Sequence, residues 1–169
     1  ALPILKEKEI LPEKGMFITT VVSSDLAKTI ANYYNLKVFE VLTGFKNIGA
    51  VMKDEEQKEN GYKYVFGFEE SYGCLIGTHA RDKDGIVALM TLCEIAAVCK
   101  KKGITIYDMM MDMYKKYGFY KEDQVAVTHK GADGAEKIKE LMETVRSNPP
   151  KELGGYKVTR IRDYRADTI

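Results

Sequence analysis

Three short stretches hold side chains whose types and spacing suit chemistry. Glu69, Glu70 and Ser71 follow directly on the apolar run YKYVFGF. Carboxylates and a hydroxyl held at the end of a strand suit hydrogen bonding to the hydroxyls of a sugar. A little further on, the run HARDKDG supplies His79, Arg81 and Lys83, donors matched to phosphate oxygens. Thr43 and Gly44 close a second apolar run, KVFEVL. One mouth with acceptors for hydroxyls and cations for phosphate points to a phosphosugar. Each stretch also has a plainer use. Adjacent glutamates commonly make a solvated surface, Thr-Gly is often a simple turn, and Arg81 to Asp84 would serve as a charged approach to a helix capped by Asp84.

Other chemistries lack their signatures. The chain has no Gly-rich dinucleotide fingerprint, no Walker loop and no GxSxG. His79 and His129 are the only histidines, far apart in sequence, so no metal site is expected. Three cysteines without CxxC spacing make neither a zinc site nor a disulfide framework. Cys93 and Cys99 are expected to be packed thiols. With 26 basic and 25 acidic residues the formal charge is +1, which gives no global attraction to nucleic acid or to an anionic membrane. The apolar stretch from Ile86 to Val98 is interrupted by Glu94 and is too short for a bilayer span. No basic segment followed by an apolar one marks a signal peptide. A reducing, cytoplasmic setting is therefore expected. The chain lacks an initiator Met and is expected to be cut from a longer one.

The elements that must position these residues follow from periodicity. GMFITTVV, KVFEVL and YKYVFGF read as strands over 16–22, 37–42 and 62–68. Between them lie two helical patterns. In the first, Ser23 or Ser24 is the cap, and Leu26, Ile30 and Tyr33 or Tyr34 share a face. In the second, Phe45, Ile48 and Met52 share a face. Strand and helix in alternation predict a parallel sheet with right-handed crossovers. IVALMTLCEIAAVCKKK is apolar on nearly every side and reads as a buried helix ended near Gly103. Thr105 with Asp108 resembles a capping box for YDMMMDMYKKY, stopped by Gly118. The methionines Met109 to Met111 are expected in and around the core. The composition then changes. QVAVTH, AEKIKELMETVR and YKVTRIRDY read as strand, helix and strand. The fold class is thus α/β: a three-layer α/β/α domain with a mainly parallel sheet over 15–122, after a linker over 1–14. A partial β-α-β unit is expected over 123–169, which either packs on the first domain or begins a second one that the chain does not finish.

VVSSDLAKTIA, LTGFKNIG and GFEESYGCLIGTHARDKDGIVA resemble the third domain of the α-D-phosphohexomutases, most of all the phosphoglucomutase and phosphopentomutase branch. The tail, with NPPKELGGYKV, resembles the beginning of the family's fourth domain. The resemblance implies a sugar-recognition loop at GFEESYG. By position, Glu69 and Ser71 match binders of sugar hydroxyls, and Thr43-Gly44 a ligand-contacting loop. Lys83 matches a catalytic basic residue facing the transferring phosphate, with His79 and Arg81 as flanking binders. It also implies chemistry shared across domains: a phosphoserine on the first, a magnesium ion on the second and glucose 1,6-bisphosphate as intermediate. No TASHNP-like serine loop, DGDxDR metal loop or RxSGTEP phosphate loop occurs in this chain. Domains I, II and the rest of IV are the partners this implies. The expected function is sugar-phosphate recognition within a phosphoglucomutase, an intramolecular phosphotransferase, with the isolated piece inactive. The alternatives are phosphopentomutase or phosphomannomutase chemistry and, from another class, a stand-alone phosphosugar-binding module.

Overall fold

The computed structural model describes residues 2–122, 128–131, 133–161, 163 and 164. Contacts divide the chain into two units, 1–122 and 123–169. The first unit runs α1 (Leu2–Glu7), β1 (Gly15–Thr20), α2 (Asp25–Tyr33), β2 (Lys37–Val41), α3 (Phe45–Glu56), β3 (Lys63–Phe68), β4 (Cys74–Ile76), α4 (Gly85–Lys101) and α5 (Ile106–Tyr117).

The sheet order is β2-β1-β3-β4. The first three strands are parallel, as the alternation of strand and helix predicts. β1 lies at the centre, and all six of its residues are buried, the pattern of a strand covered on both faces. Alternate residues divide between the faces. Met16 and Ile18 join Phe45, Ile48 and Met52 of α3, with Tyr64 and Leu75. Phe17 joins Leu2 of α1, Ala31 of α2, Leu36 and Val65. These two cores make the three layers. A register shift after Met16 pairs Met16 with Tyr64 but Phe17 with Phe66, so Val65 is the extra residue of a bulge. Phe66 then stacks on Phe17 and Phe68 lies tilted against it, each with ring centroids 5.9 Å apart.

Four features depart from the sequence reading. The segment read as a linker contains α1, whose Leu2 and Ile4 are buried. β4 is an antiparallel strand on β3 within a segment that shows no period, because three residues are too few to establish one. α4, expected to be buried, is largely exposed. Ile86, Leu89 and Met90 are 74, 61 and 66% accessible, and only Cys99 is buried. Apolar composition gives no direction, and these residues have the i, i+3, i+4 spacing of one uncovered stripe. For the same reason Cys93, expected to be packed, is exposed, whereas Cys99 is packed. On α2 Ile30 and Tyr34 pack on the core as expected, around the fully buried Ala31, and Tyr33 is exposed.

The helix punctuation follows local chemistry. The Ser24 hydroxyl accepts from Leu26 N at 3.2 Å. Asp84 caps α4, accepting from Ile86 N and Val87 N at 2.8 and 3.1 Å. Thr105 and Asp108 form a capping box, and Gly118 ends α5 at φ 101°. Met109 to Met111 are half-buried. Among the described residues no helix is long and apolar enough to cross a membrane.

The second unit contains α6 (Gly134–Ser147) and a hairpin of β5 (Glu152–Leu153) and β6 (Tyr156–Lys157). Gly154 and Gly155 turn the hairpin with φ of 56° and 83°, values that suit glycine. The strand expected over 156–164 is thus two residues long and pairs backwards on its own hairpin. Most of the expected strand QVAVTH lies outside the described residues. Ile138, Leu141, Met142 and Val145 do share a face of α6, and that face is exposed.

Candidate functional site

Parallel strands aim their carboxyl ends at one edge of the sheet, and the loops leaving them gather there. β1 has β2 on one side and β3 on the other, so chain direction around the sheet switches beside it. The loop from 69 to 73 stands at the end of β3. Glu69 N donates to Gly73 O at 2.8 Å, closing the loop. Tyr72 turns it at φ 65° and is fully exposed, and Ser71 is exposed.

The loop holds the Glu69 side chain at only 5% accessibility, while Lys83 opposite remains 51% accessible. Lys83 Nζ lies 3.5 Å from Glu69 Oε1. Gly73 permits this approach. A Cβ there would stand 2.7 Å from Lys83 Cδ and 2.8 Å from Glu69 Oε1. Lys83 is further held by Asp82, whose carboxylate accepts from Lys83 N at 2.7 Å. Asp82, by hydrogen bond and charge, and Glu69, more weakly, raise the Lys83 pKa above its ordinary range. The ammonium therefore stays charged at neutral pH. It suits a phosphate counter-charge and does not suit a general base, which must be deprotonated to act.

The β2–α3 loop comes to the same place. Lys83 Nζ is 5.9 Å from the centroid of Phe45, the first residue of α3. Gly44, at φ 107°, caps that helix. Asn47 Nδ2 donates to the carbonyls of Leu42 and Thr43, each at 3.0 Å, and so fixes the loop on which Thr43 is exposed.

His79 and Arg81 are turned elsewhere. Arg81 Nη2 donates to both carboxylate oxygens of Glu56, at 2.8 and 2.7 Å, and Nη1 donates to the carbonyls of Thr78 and Ala80. Glu56 is at the C-terminal end of α3, away from the strand carboxyl ends. His79 Nε2 is 2.9 Å from Asp84 Oδ2. That contact first, then the amides of Val87 and Ile86, hold the Asp84 carboxyl below its usual range. The structure thus brings together Glu69 and Lys83, with the Thr43-Gly44 loop beside them. It gives His79 and Arg81 partners that brace the segment between β4 and α4.

Sequence reasoning missed Gly73, Asn47 and the partners of Glu70. Thr20, fully buried at the end of β1, donates its hydroxyl to Glu70 Oε2 at 2.6 Å and lies 2.8 Å from Ser23 Oγ. A signal was present: Thr20, Ser23 and Ser24 are hydroxyl residues at a strand carboxyl end.

Residues 2–117 match the family model for the α/β/α domain III of phosphoglucomutases and phosphomannomutases. The chain belongs to this family. The match to domain III includes every candidate residue of the site. A phosphoglucomutase of Staphylococcus epidermidis is 37% identical over 160 residues, 95% of this chain and 29% of that protein. A phosphoglucomutase of Staphylococcus aureus is 38% identical over 154 residues, 91% of this chain and 27% of that protein. The chain thus spans less than a third of the length of these curated relatives. The domain III match ends before the second unit, whereas both relatives match more than 90% of the chain.

Proposed function

We propose that this chain supplies sugar-phosphate recognition within a phosphoglucomutase, which interconverts glucose 1-phosphate and glucose 6-phosphate through a phosphoserine and glucose 1,6-bisphosphate. The observation that carries the reading is the meeting of Glu69 and Lys83 beside the loop ending at Gly73. Membership of the domain III family and two relatives named phosphoglucomutase support it.

In this reading Glu69 and Ser71 take sugar hydroxyls, and the Thr43-Gly44 loop bounds the ligand. Lys83 turns from Glu69 to a phosphate oxygen, where a fixed cation stabilises charge that develops in transfer. Its flexible stem and compact ammonium suit that exchange of partners. His79 and Arg81 keep the Lys83 segment in place, through Asp84 and Glu56.

The phosphoserine and the magnesium ion belong to other parts of a longer chain. Among the described residues no group of three His, Cys, Asp or Glu side chains could hold a metal. The domains completing the enzyme are the proposed partners. The uncovered stripe of Ile86, Leu89 and Met90 on α4 supports such packing, since a large apolar face gains by being covered. A cytoplasmic setting accords with three free cysteines.

An assay of the full-length enzyme on glucose 1-phosphate and ribose 1-phosphate tests the proposal. The expected result is faster turnover of glucose 1-phosphate, with none by the 169-residue chain alone. Preference for ribose 1-phosphate would make the enzyme a pentomutase. Turnover by the isolated chain would overturn the division of labour.

A further inference from the structure

We infer that Glu70 is a positioning residue, which acts through Thr20 and Ser23 to aim the sugar loop at its ligand. The inference rests on the proposed sugar-recognition role of Glu69 and Ser71.

Glu69 and Glu70 are neighbours with opposite commitments. The Glu69 side chain reaches the Lys83 ammonium across Gly73. The Glu70 carboxylate reaches back to β1, where Thr20 Oγ1 donates to it at 2.6 Å. A threonine hydroxyl has one proton. With that proton on Glu70, the 2.8 Å contact between Thr20 and Ser23 is a donation from Ser23. The three groups form one oriented chain, from Ser23 through Thr20 to Glu70.

This chain spans the carboxyl ends of β1 and β3, adjacent parallel strands. Its middle member and its acceptor differ in burial. Thr20 is fully buried in the central strand and cannot swing. Glu70 is exposed on a loop closed by the bond from Glu69 N to Gly73 O. A buried donor therefore sets the position of an exposed acceptor that sits between the two proposed ligand-contacting residues. Exposed carboxylates gain little from water-accessible contacts, so a side chain tied to a buried hydroxyl is better explained by what its backbone presents. Glu70 is committed to Thr20 and is not assigned a contact with substrate.

The test uses steady-state kinetics of the full-length enzyme, with glucose 1-phosphate and deoxyglucose 1-phosphates that each lack one hydroxyl. Thr20→Val and Glu70→Ala should each lower kcat/KM about three- to tenfold, the range for one ordinary net hydrogen bond, because the exposed Glu70 carboxylate is screened by water. The double variant should be no worse than the poorer single, because both remove the same link. Glu70→Gln should keep most activity, since its amide oxygen still accepts from Thr20. On the deoxy analogue for which Glu69→Gln is silent, the loss caused by Glu70→Ala should shrink to the part carried by Ser71. A general loss of structure would not discriminate in this way between substrates. Glu70 is exposed, so Glu70→Ala is expected to fold even if Thr20→Val does not, and thermal melts check both.

Wild-type kcat/KM for Glu70→Ala, additive losses in the double variant, or equal losses on every analogue would each overturn the inference. If Glu69→Gln is impaired while Glu70→Ala is not, only this inference fails. If Glu69→Gln is silent on every substrate, the sugar-recognition reading fails and the inference falls with it.

Discussion

Gly73→Ala probes the close approach at the heart of the site. The new methyl carbon would stand 2.7 Å from Lys83 Cδ, 2.8 Å from Glu69 Oε1 and 3.1 Å from Glu69 Cγ. The two neighbours differ in their power to yield. Lys83 is half exposed and its stem can swing to solvent, whereas the Glu69 side chain is enclosed. Ordinary contact begins near 3.4 Å, so Glu69 must retreat by several tenths of an ångström or the loop must open. Overpacking of this kind costs about 1–3 kcal/mol in stability. A misplacement of about 1 Å in a positioning group can cost about 100-fold in rate, so a smaller retreat predicts a loss of about 10- to 100-fold in kcat/KM. Two assays separate the effects: urea denaturation of the 169-residue chain, and glucose 1-phosphate turnover by the full-length enzyme. A stable Gly73→Ala enzyme with unchanged kcat/KM would refute the idea that this glycine brings Glu69 and Lys83 together.

Other outcomes follow from the same contacts. Lys83→Ala should lower kcat/KM of the full-length enzyme by about 100-fold or more, the usual loss for one group that meets developing charge, and Lys83→Arg should restore part of it in the same assay. Ile48→Ala empties a fully buried position under the sheet and should cost about 2–5 kcal/mol by urea denaturation. Tyr64→Phe removes the donor that Leu75 O accepts at 2.9 Å and should cost about 1 kcal/mol or slightly more. The Asp84 pKa is depressed in the folded chain, so its stabilising effect is present above the ordinary carboxylate range and lost as pH falls through the folded value. Urea midpoints should therefore drop below about pH 4, less steeply in Asp84→Asn, whose amide oxygen still caps α4 without titrating.

The parallel strands were legible because β-branched and aromatic runs alternate with helical spacing and have turn signals at their ends. Phe45, Ile48 and Met52 have the spacing of one face of α3, and all three are buried. The helix caps at Asp84 and Thr105 were legible because capping is local chemistry within a few residues. Three other features depend on contacts distant in sequence. α4 has too many apolar residues for composition to say which side is covered. β4 exists because β3 offers it an edge, not because its three residues declare a strand. Arg81 and Lys83 are two residues apart and both cationic. The first is taken by Glu56 and the second meets Glu69, a choice made by how the segment folds back from β4. The same holds for Glu70, whose partner lies fifty residues earlier at Thr20.

Steady-state kinetics of Glu69→Gln in the full-length enzyme, with glucose 1-phosphate as substrate, test the central claim most directly. The substitution keeps size and shape while removing a charged acceptor for sugar hydroxyls. A hydrogen bond to a charged group contributes about 1.5–3 kcal/mol, so kcat/KM should fall about 10- to 150-fold, with the thermal midpoint little changed. A Glu69→Gln enzyme that melts and turns over like the wild type would contradict the assignment of this loop to sugar recognition.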